Sequence, residues 1–88
     1  ALIRLTEILA LEFAPLGVRA NSICPGVTKT DILATVAPEQ LKQLAAAIPM
    51  GRLGEPIEIA KASVFMVSDD ASYMTGQSIA IDGGYTTL

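Results

Sequence analysis

Between Val18 and Asp31 the chain reads Val-Arg-Ala-Asn-Ser-Ile-Cys-Pro-Gly-Val-Thr-Lys-Thr-Asp, an apolar run that stops at Pro25-Gly26 and is followed by the hydroxyls of Thr28 and Thr30. In open α/β sheets, ligands sit beyond the carboxyl ends of the strands. Proline stiffens the backbone there, and glycine removes a side chain so that the backbone can approach a flat ligand ring. Exposed backbone groups at Val27 and Thr28 can then pair with an amide, and the hydroxyls of Thr28 and Thr30 can reach an amide or phosphate oxygen. Spacing alone leaves a second reading open, because Pro-Gly after a strand is also an ordinary turn signal.

Other candidates read as structural. Cys24 lies in the apolar run without an adjoining histidine or clear cation, which predicts an inert buried thiol rather than a nucleophile. One cysteine excludes an internal disulfide, and the absence of histidine removes the usual zinc, haem and Ser-His-Asp sites from within the chain. No metal site and no catalytic residue is assigned. Glu7 and Glu12, five positions apart, do not share a helical face and read as solvated charges. Arg52, flanked by Gly51 and Gly54, is expected to pair with a carboxylate or carbonyl across the fold rather than with an anionic substrate. Asp82 before Gly83-Gly84 reads as a turn residue bonding its own backbone. Tyr73 and Tyr85 are read as packing residues.

The elements that must position these residues follow from periodicity. Leu2, Leu5, Ile8, Leu9 and Phe13 recur at helical spacing with Arg4, Glu7 and Glu12 interleaved, which predicts a helix from Leu2 to about Phe13 that ends near Ala14, before Pro15 and Gly17. Val18 to Cys24 reads as a strand ending before Pro25, since a central strand does not tolerate proline. Asp31 to Val36 suits a helical turn. Pro38 opens a helix through Ile48 whose apolar face is Leu41, Leu44, Ala45 and Ile48, either core or the underside of a substrate lid. Pro56 opens another helix, to Ser68, carried by Ile57, Ala60, Val64 and Val67. Asp69 to Ser72 reads as a turn and Gln77 to Ile81 as a second strand. Helix, loop, strand, helices and strand form an α/β pattern. Two short strands so far apart make a marginal sheet alone, so the pattern expects further strands and a truncated upstream end.

Composition narrows the partners. The 88 residues carry six Lys and Arg against nine Asp and Glu, a net charge of −3, with no basic stripe for a phosphate backbone, so no nucleic-acid partner is expected. No apolar run approaches the roughly 20 residues that span a bilayer, so no membrane partner is expected and a cytoplasmic setting fits. Mean hydropathy is +0.50 with few aromatics, high for so small a domain, and such a chain expects neighbours.

Three blocks carry a family resemblance. Val18 to Asp31 is similar to the Val-Arg-x-Asn-x-x-x-Pro-Gly-x-Ile/Val-x-Thr segment of the short-chain dehydrogenases/reductases. Gly51-Arg52-Leu53-Gly54-Glu55-Pro56 with Ile59-Ala60 resembles that family's next run in order and distance, and Ser68 to Gln77 with Asp82-Gly83-Gly84 resembles its C-terminal signature. The blocks look closest to the classical group that includes 3-oxoacyl-carrier-protein reductases, glucose dehydrogenases and hydroxysteroid dehydrogenases. The resemblance implies the C-terminal part of a Rossmann-type doubly wound parallel sheet, with residues 1–88 as its last segment and 31–50 as a substrate lid. It implies NAD or NADP as cofactor, with Pro25, Gly26, Val27, Thr28 and Thr30 flanking the nicotinamide and adjacent phosphates. Thr28 departs from the Ile or Val common there, but a contact made by backbone keeps its geometry with another β-branched residue.

The family's general acid is a tyrosine with a lysine four residues later. No such pair occurs here: Tyr73 is followed at that distance by Gln77, and Tyr85 has three residues after it. The resemblance puts that pair just upstream of Ala1, with the catalytic serine and the glycine-rich phosphate loop further upstream. The implied activity is hydride transfer between NAD(P) and a small alcohol or ketone by a homo-oligomer, dimer or tetramer, with this chain inactive alone. The alternative is a non-catalytic fragment or assembly module.

Overall fold

The computed structural model describes residues 1–30 and 33–88. Its elements are α1 (Leu2–Phe13), β1 (Ser22–Pro25), α2 (Pro38–Ala46), α3 (Pro56–Val67) and β2 (Ser78–Ile81), joined by short 3-10 turns. The turn expected over Asp31 to Val36 and the start of the 31–50 lid include Asp31 and Ile32, which lie outside the described residues; a 3-10 turn follows at Leu33–Thr35. The chain forms two compact units, Ala1–Cys24 with Ala62–Ile79, and Pro25–Lys61 with Ala80–Leu88.

In the first unit α1 has the predicted bounds. Thr6 and Ala10 are its buried residues, whereas Leu2, Leu5, Ile8, Leu9 and Phe13 are exposed. The reason is close backbone approach: a Cβ built on Gly76 would lie 3.4 Å from that of Ala10, a contact that small side chains permit. Thr6 tolerates burial because its hydroxyl donates to the Leu2 carbonyl at 2.8 Å. In α3 the buried residue is Met66, and Val64 and Val67 of its apolar repeat are exposed at 68% and 80%. Leu11, Leu16 and Phe65 are exposed as well. Exposed large apolar residues of this density mark a surface that folding of these residues by themselves does not cover.

The strand pair is parallel and, among the described residues, two-stranded. Ser22 N–H donates to the Gln77 carbonyl at 2.9 Å and Gly26 N–H to Ile81 at 2.9 Å. Alternation along β1 therefore turns the Pro25 nitrogen away from β2, which is why the strand includes the proline that sequence reasoning placed beyond its end. At the other end β1 starts at Ser22 rather than Val18. There, side chains replace the ladder: Thr75 Oγ1 accepts from Ala20 N–H at 3.0 Å, and Asn21 accepts from Gln77 N–H at 3.0 Å while donating to the Met74 carbonyl at 2.9 Å. The Ser22 and Ser78 hydroxyls share a hydrogen bond of 2.6 Å. Cys24 is half-buried rather than buried.

In the second unit the buried side chains are Ile48 and Leu53. Leu41, Leu44 and Ala45 of α2 are half-buried, so the predicted inner face is the observed one, although the helix ends at Ala46 and Ile48 follows in the turn.

Candidate functional site

The loop that leaves β1 lies in the second unit and is held at two points. Gly26 N–H donates to the Ile81 carbonyl, and a Cβ built on Gly26 would lie 2.6 Å from the Asp82 Cβ and 2.7 Å from its Cα. The space that a Cβ on Gly26 would need is filled by Asp82, a packing reason for glycine at this position. The second point is a parallel bridge between Thr28 and Gly54. Gly54 N–H donates to the Val27 carbonyl at 3.0 Å, and Lys29 N–H donates to the Gly54 carbonyl at 2.8 Å.

This pairing decides which backbone groups remain for a ligand. In extended chain the N–H and C=O of one residue point the same way and alternate with those of its neighbours. The Val27 groups face Gly54, and its carbonyl is committed; the Thr28 N–H and C=O face the opposite edge, where neither takes a backbone partner among the described residues. Sequence reasoning had treated Val27 and Thr28 alike. The Thr28 methyl packs over Gly54, 3.3 Å from where a Cβ there would stand, so this side chain anchors the loop. Val27 is exposed, with its side chain beside Ile81 and Asp82 at a small cavity of about 100 Å³. Thr30 is exposed and borders a groove of about 480 Å³ with Leu41, Ala45 and Leu53. Of the apolar face expected for α2, Leu41 and Ala45 border this groove and Ile48 is buried.

Arg52 pairs with a carboxylate as expected, but with one only six residues on rather than across the fold. Its Nη1 and Nη2 donate to the Glu58 Oε1 and Oε2 at 2.7 and 3.0 Å, a bidentate arrangement. Glu58 Oε1 also accepts from the Glu55 N–H at 2.9 Å, closing the first turn of α3 in the manner of a capping box. The Arg52 hydrogen bonds, then the Glu55 N–H, lower the Glu58 carboxyl from an ordinary 4.5 to about 2. A carboxylate with a depressed pKa stabilises the fold above its unfolded value, and the contribution fades as pH falls from 4.5 through about 2. Arg52→Met is expected to move the Glu58 titration upward from about 2 toward 4.5, followed by the side-chain carboxyl carbon shift in an NMR pH series; a midpoint still near 2 would show that Arg52 is not its cause. Sequence reasoning missed Glu58, although Glu-Pro-x-Glu at a helix start was its signal.

Asp82 behaves as read from sequence. Its Oδ1 accepts from Gly84 N–H at 3.0 Å and its Oδ2 from Thr86 N–H at 3.1 Å. Hydrogen bonding from the Thr86 side chain, with backbone N–H groups of this turn adding to it, holds the carboxyl below its usual range against the opposing effect of desolvation. The tyrosines are a correction: Tyr73 is fully exposed and Tyr85 is 54% exposed, so neither packs inside its unit. Arg19, in the first unit, was overlooked. Its guanidinium donates to the carbonyls of Met66, Met74 and Ser68 at 2.9, 3.0 and 3.1 Å. A charged residue inside an apolar run was the available hint. Among the described residues no cluster of metal-ligating side chains occurs, and no helix is long and apolar enough to cross a membrane.

Comparison with known proteins matches residues 1–86 to a family model described as enoyl-(acyl carrier protein) reductase. The chain is 49% identical over 82 residues to 2,5-dichloro-2,5-cyclohexadiene-1,4-diol dehydrogenase LinX of Sphingobium indicum, covering 93% of this chain and 33% of that protein. It is 46% identical over 79 residues to 3alpha-hydroxysteroid dehydrogenase of Mediterraneibacter gnavus, covering 90% and 32%. The chain thus spans about a third of the length of these curated relatives. Among solved structures, 3-oxoacyl-[acyl-carrier protein] reductase from Brucella melitensis superposes with a TM-score of 0.91 at 38% identity, over 96% of this chain and 32% of that one. A short chain dehydrogenase family protein from Francisella tularensis gives 0.89 at 36% identity, over 99% and 40%.

Proposed function

The chain belongs to the short-chain dehydrogenase/reductase family, and from that premise we propose that the protein carrying it transfers a hydride between NAD or NADP and a small alcohol or ketone. Its fold is the C-terminal part of the family's Rossmann-type doubly wound parallel sheet. The observation that carries the proposal is the orientation of Thr28. One donor and one acceptor, adjacent on a single residue and turned away from Gly54, match the acceptor and donor of a carboxamide. The nicotinamide, when bound, supplies the carbon that gives or accepts the hydride.

The roles of this chain follow from that placement. Pro25 and Gly26 set the register of the loop against β2 and Asp82, Val27 ties it to Gly54, and Thr28 pairs with the carboxamide through its backbone. Thr30 offers its hydroxyl to a neighbouring amide or phosphate oxygen. Leu41 and Ala45 of α2 supply the apolar wall of a lid over the substrate. The proton that the carbonyl oxygen needs comes from outside this chain, since Tyr-x-x-x-Lys does not occur in it. The exposed apolar residues of α1 and α3 suit burial against other parts of the same protein or against a second subunit of a dimer or tetramer.

The test compares two proteins. The full-length protein containing this segment is expected to oxidise NADH or NADPH when offered cyclic or short-chain ketones, and the 88-residue chain alone to show neither turnover nor measurable cofactor affinity. Turnover by the short chain would overturn the division of roles, and absence of any nicotinamide-dependent turnover by the full-length protein would overturn the activity. The exposed faces of α1 and α3 also favour a second reading, an assembly module without activity. Size exclusion and hydrogen exchange on the 88-residue chain separate the two: a discrete, protected oligomer supports the module, and aggregation or random-coil exchange supports the enzyme segment.

A further inference from the structure

Beyond the loop that faces the cofactor, the Asp82-Gly83-Gly84 turn touches two elements whose placement matters to the same reaction. Towards the loop, Asp82 lies against Gly26 so closely that the carbon atoms leave no room for a methyl group, 2.6 Å from Cβ and 2.7 Å from Cα. Towards α2, the Gly83 carbonyl accepts from Met50 N–H at 3.1 Å, and a Cβ on Gly83 would meet Ile48 Cγ2 at 2.7 Å. A Cβ on Gly84 would stand 3.1 Å from Pro49. Both glycines have positive φ, 65° and 94°, so the turn requires them for conformation as well as for space. What holds this turn in shape is the Asp82 carboxylate, which spans it by accepting from Gly84 and Thr86.

We propose that Asp82 is a positioning residue for nicotinamide binding: by locking the 82–86 turn it sets where Gly26, and two residues later the Thr28 backbone, stand, and it fixes the segment after α2 through Ile48, Pro49 and Met50. The proposal rests on the reading of Thr28 as the carboxamide partner. Asp82 itself touches neither cofactor nor substrate. A single carboxylate thereby ties the height of the cofactor loop to the rear end of the lid.

The experiment uses the full-length protein and two ligands: the oxidised cofactor, and the same nucleotide without its nicotinamide ring, ADP-ribose or its 2′-phosphate. Asp82→Asn keeps one acceptor oxygen and loses the charge and the second acceptor, and it is expected to weaken cofactor binding about tenfold, the loss of roughly one charge-assisted bond's worth of order. Affinity for the ring-less nucleotide is expected to stay unchanged, and KM for the cofactor to rise more than kcat falls. Thr86→Val, which leaves the carboxylate in place, is expected to move the same ratio in the same direction by less, and it serves if Asp82→Asn does not fold. Equal weakening of both ligands, or no weakening of either, overturns the positioning role. If the wild-type protein binds the two ligands equally, the carboxamide reading of Thr28 fails first, and the role of Asp82 falls with it.

Discussion

Gly26→Ala in the full-length protein is expected to lower cofactor affinity by about a hundredfold and stability by about 2–3 kcal/mol, because the new methyl has no space to occupy. Ordinary carbon contacts lie at about 3.5–4.0 Å. The Cβ of alanine would stand 2.6 and 2.7 Å from two carbons of Asp82, one of them backbone, so something must move by about an ångström. Asp82 cannot swing aside, since Gly84 and Thr86 hold both of its oxygens. The loop must move instead, which weakens the Gly26 to Ile81 hydrogen bond and carries Thr28 with it. Calorimetric titration with the cofactor, beside a thermal melt, checks both figures. Wild-type affinity with an unchanged melting temperature would show that the loop adjusts without moving its ligand-facing backbone.

Arg19→Leu is expected to cost about 2–4 kcal/mol of unfolding free energy, since three hydrogen bonds from one charged group are lost and the acceptors are partly buried. The acceptors explain the size of the effect. Met66 and Ser68 carbonyls stand at the end of α3, where helical partners run out, and the Met74 carbonyl belongs to the connection that leads to β2. Leucine retains an apolar stem and supplies no donor. Lysine is expected to restore less than half of the loss, because a single ammonium cannot serve acceptors spread over two guanidinium nitrogens. Urea unfolding of the two variants measures the difference, and a leucine variant within about 0.5 kcal/mol of wild type would reduce Arg19 to an ordinary surface charge.

The element boundaries that were legible in the sequence are those marked by chain chemistry. Pro38 and Pro56 open α2 and α3 because a first-turn position needs no N–H, and α1 ends before Pro15 for the complementary reason. The Asp82 turn was legible because it is local, completed within four residues, whereas the carboxylate partner of Arg52 was expected across the fold and lies six residues on. The strand boundaries were less so. Pro25 reads as a stop only if its missing N–H faces a partner, and the register with β2 that turns it away is set by contacts more than fifty positions distant.

Periodicity by itself does not fix the inner face of α1. Its apolar residues occupy a wide sector, and any of several stripes satisfies a helical repeat; the buried residues are Thr6 and Ala10, and at Ala10 a small side chain permits the approach to Gly76. The large residues beside it remain exposed, which in this family's fold leaves them for surfaces outside these 88 residues.

By itself the sequence determined the α/β order of elements and the family, and it marked the segment from Pro25 to Thr30 as the candidate for nicotinamide contact, since motif order and turn chemistry are written along the chain. Only the tertiary structure decided which of those residues keeps its backbone N–H and C=O unpaired among the described residues and what fills the space beside Gly26. A backbone group is free or committed according to the partner that lies across from it, and here the partners, Gly54 and Asp82, come from distant stretches of chain.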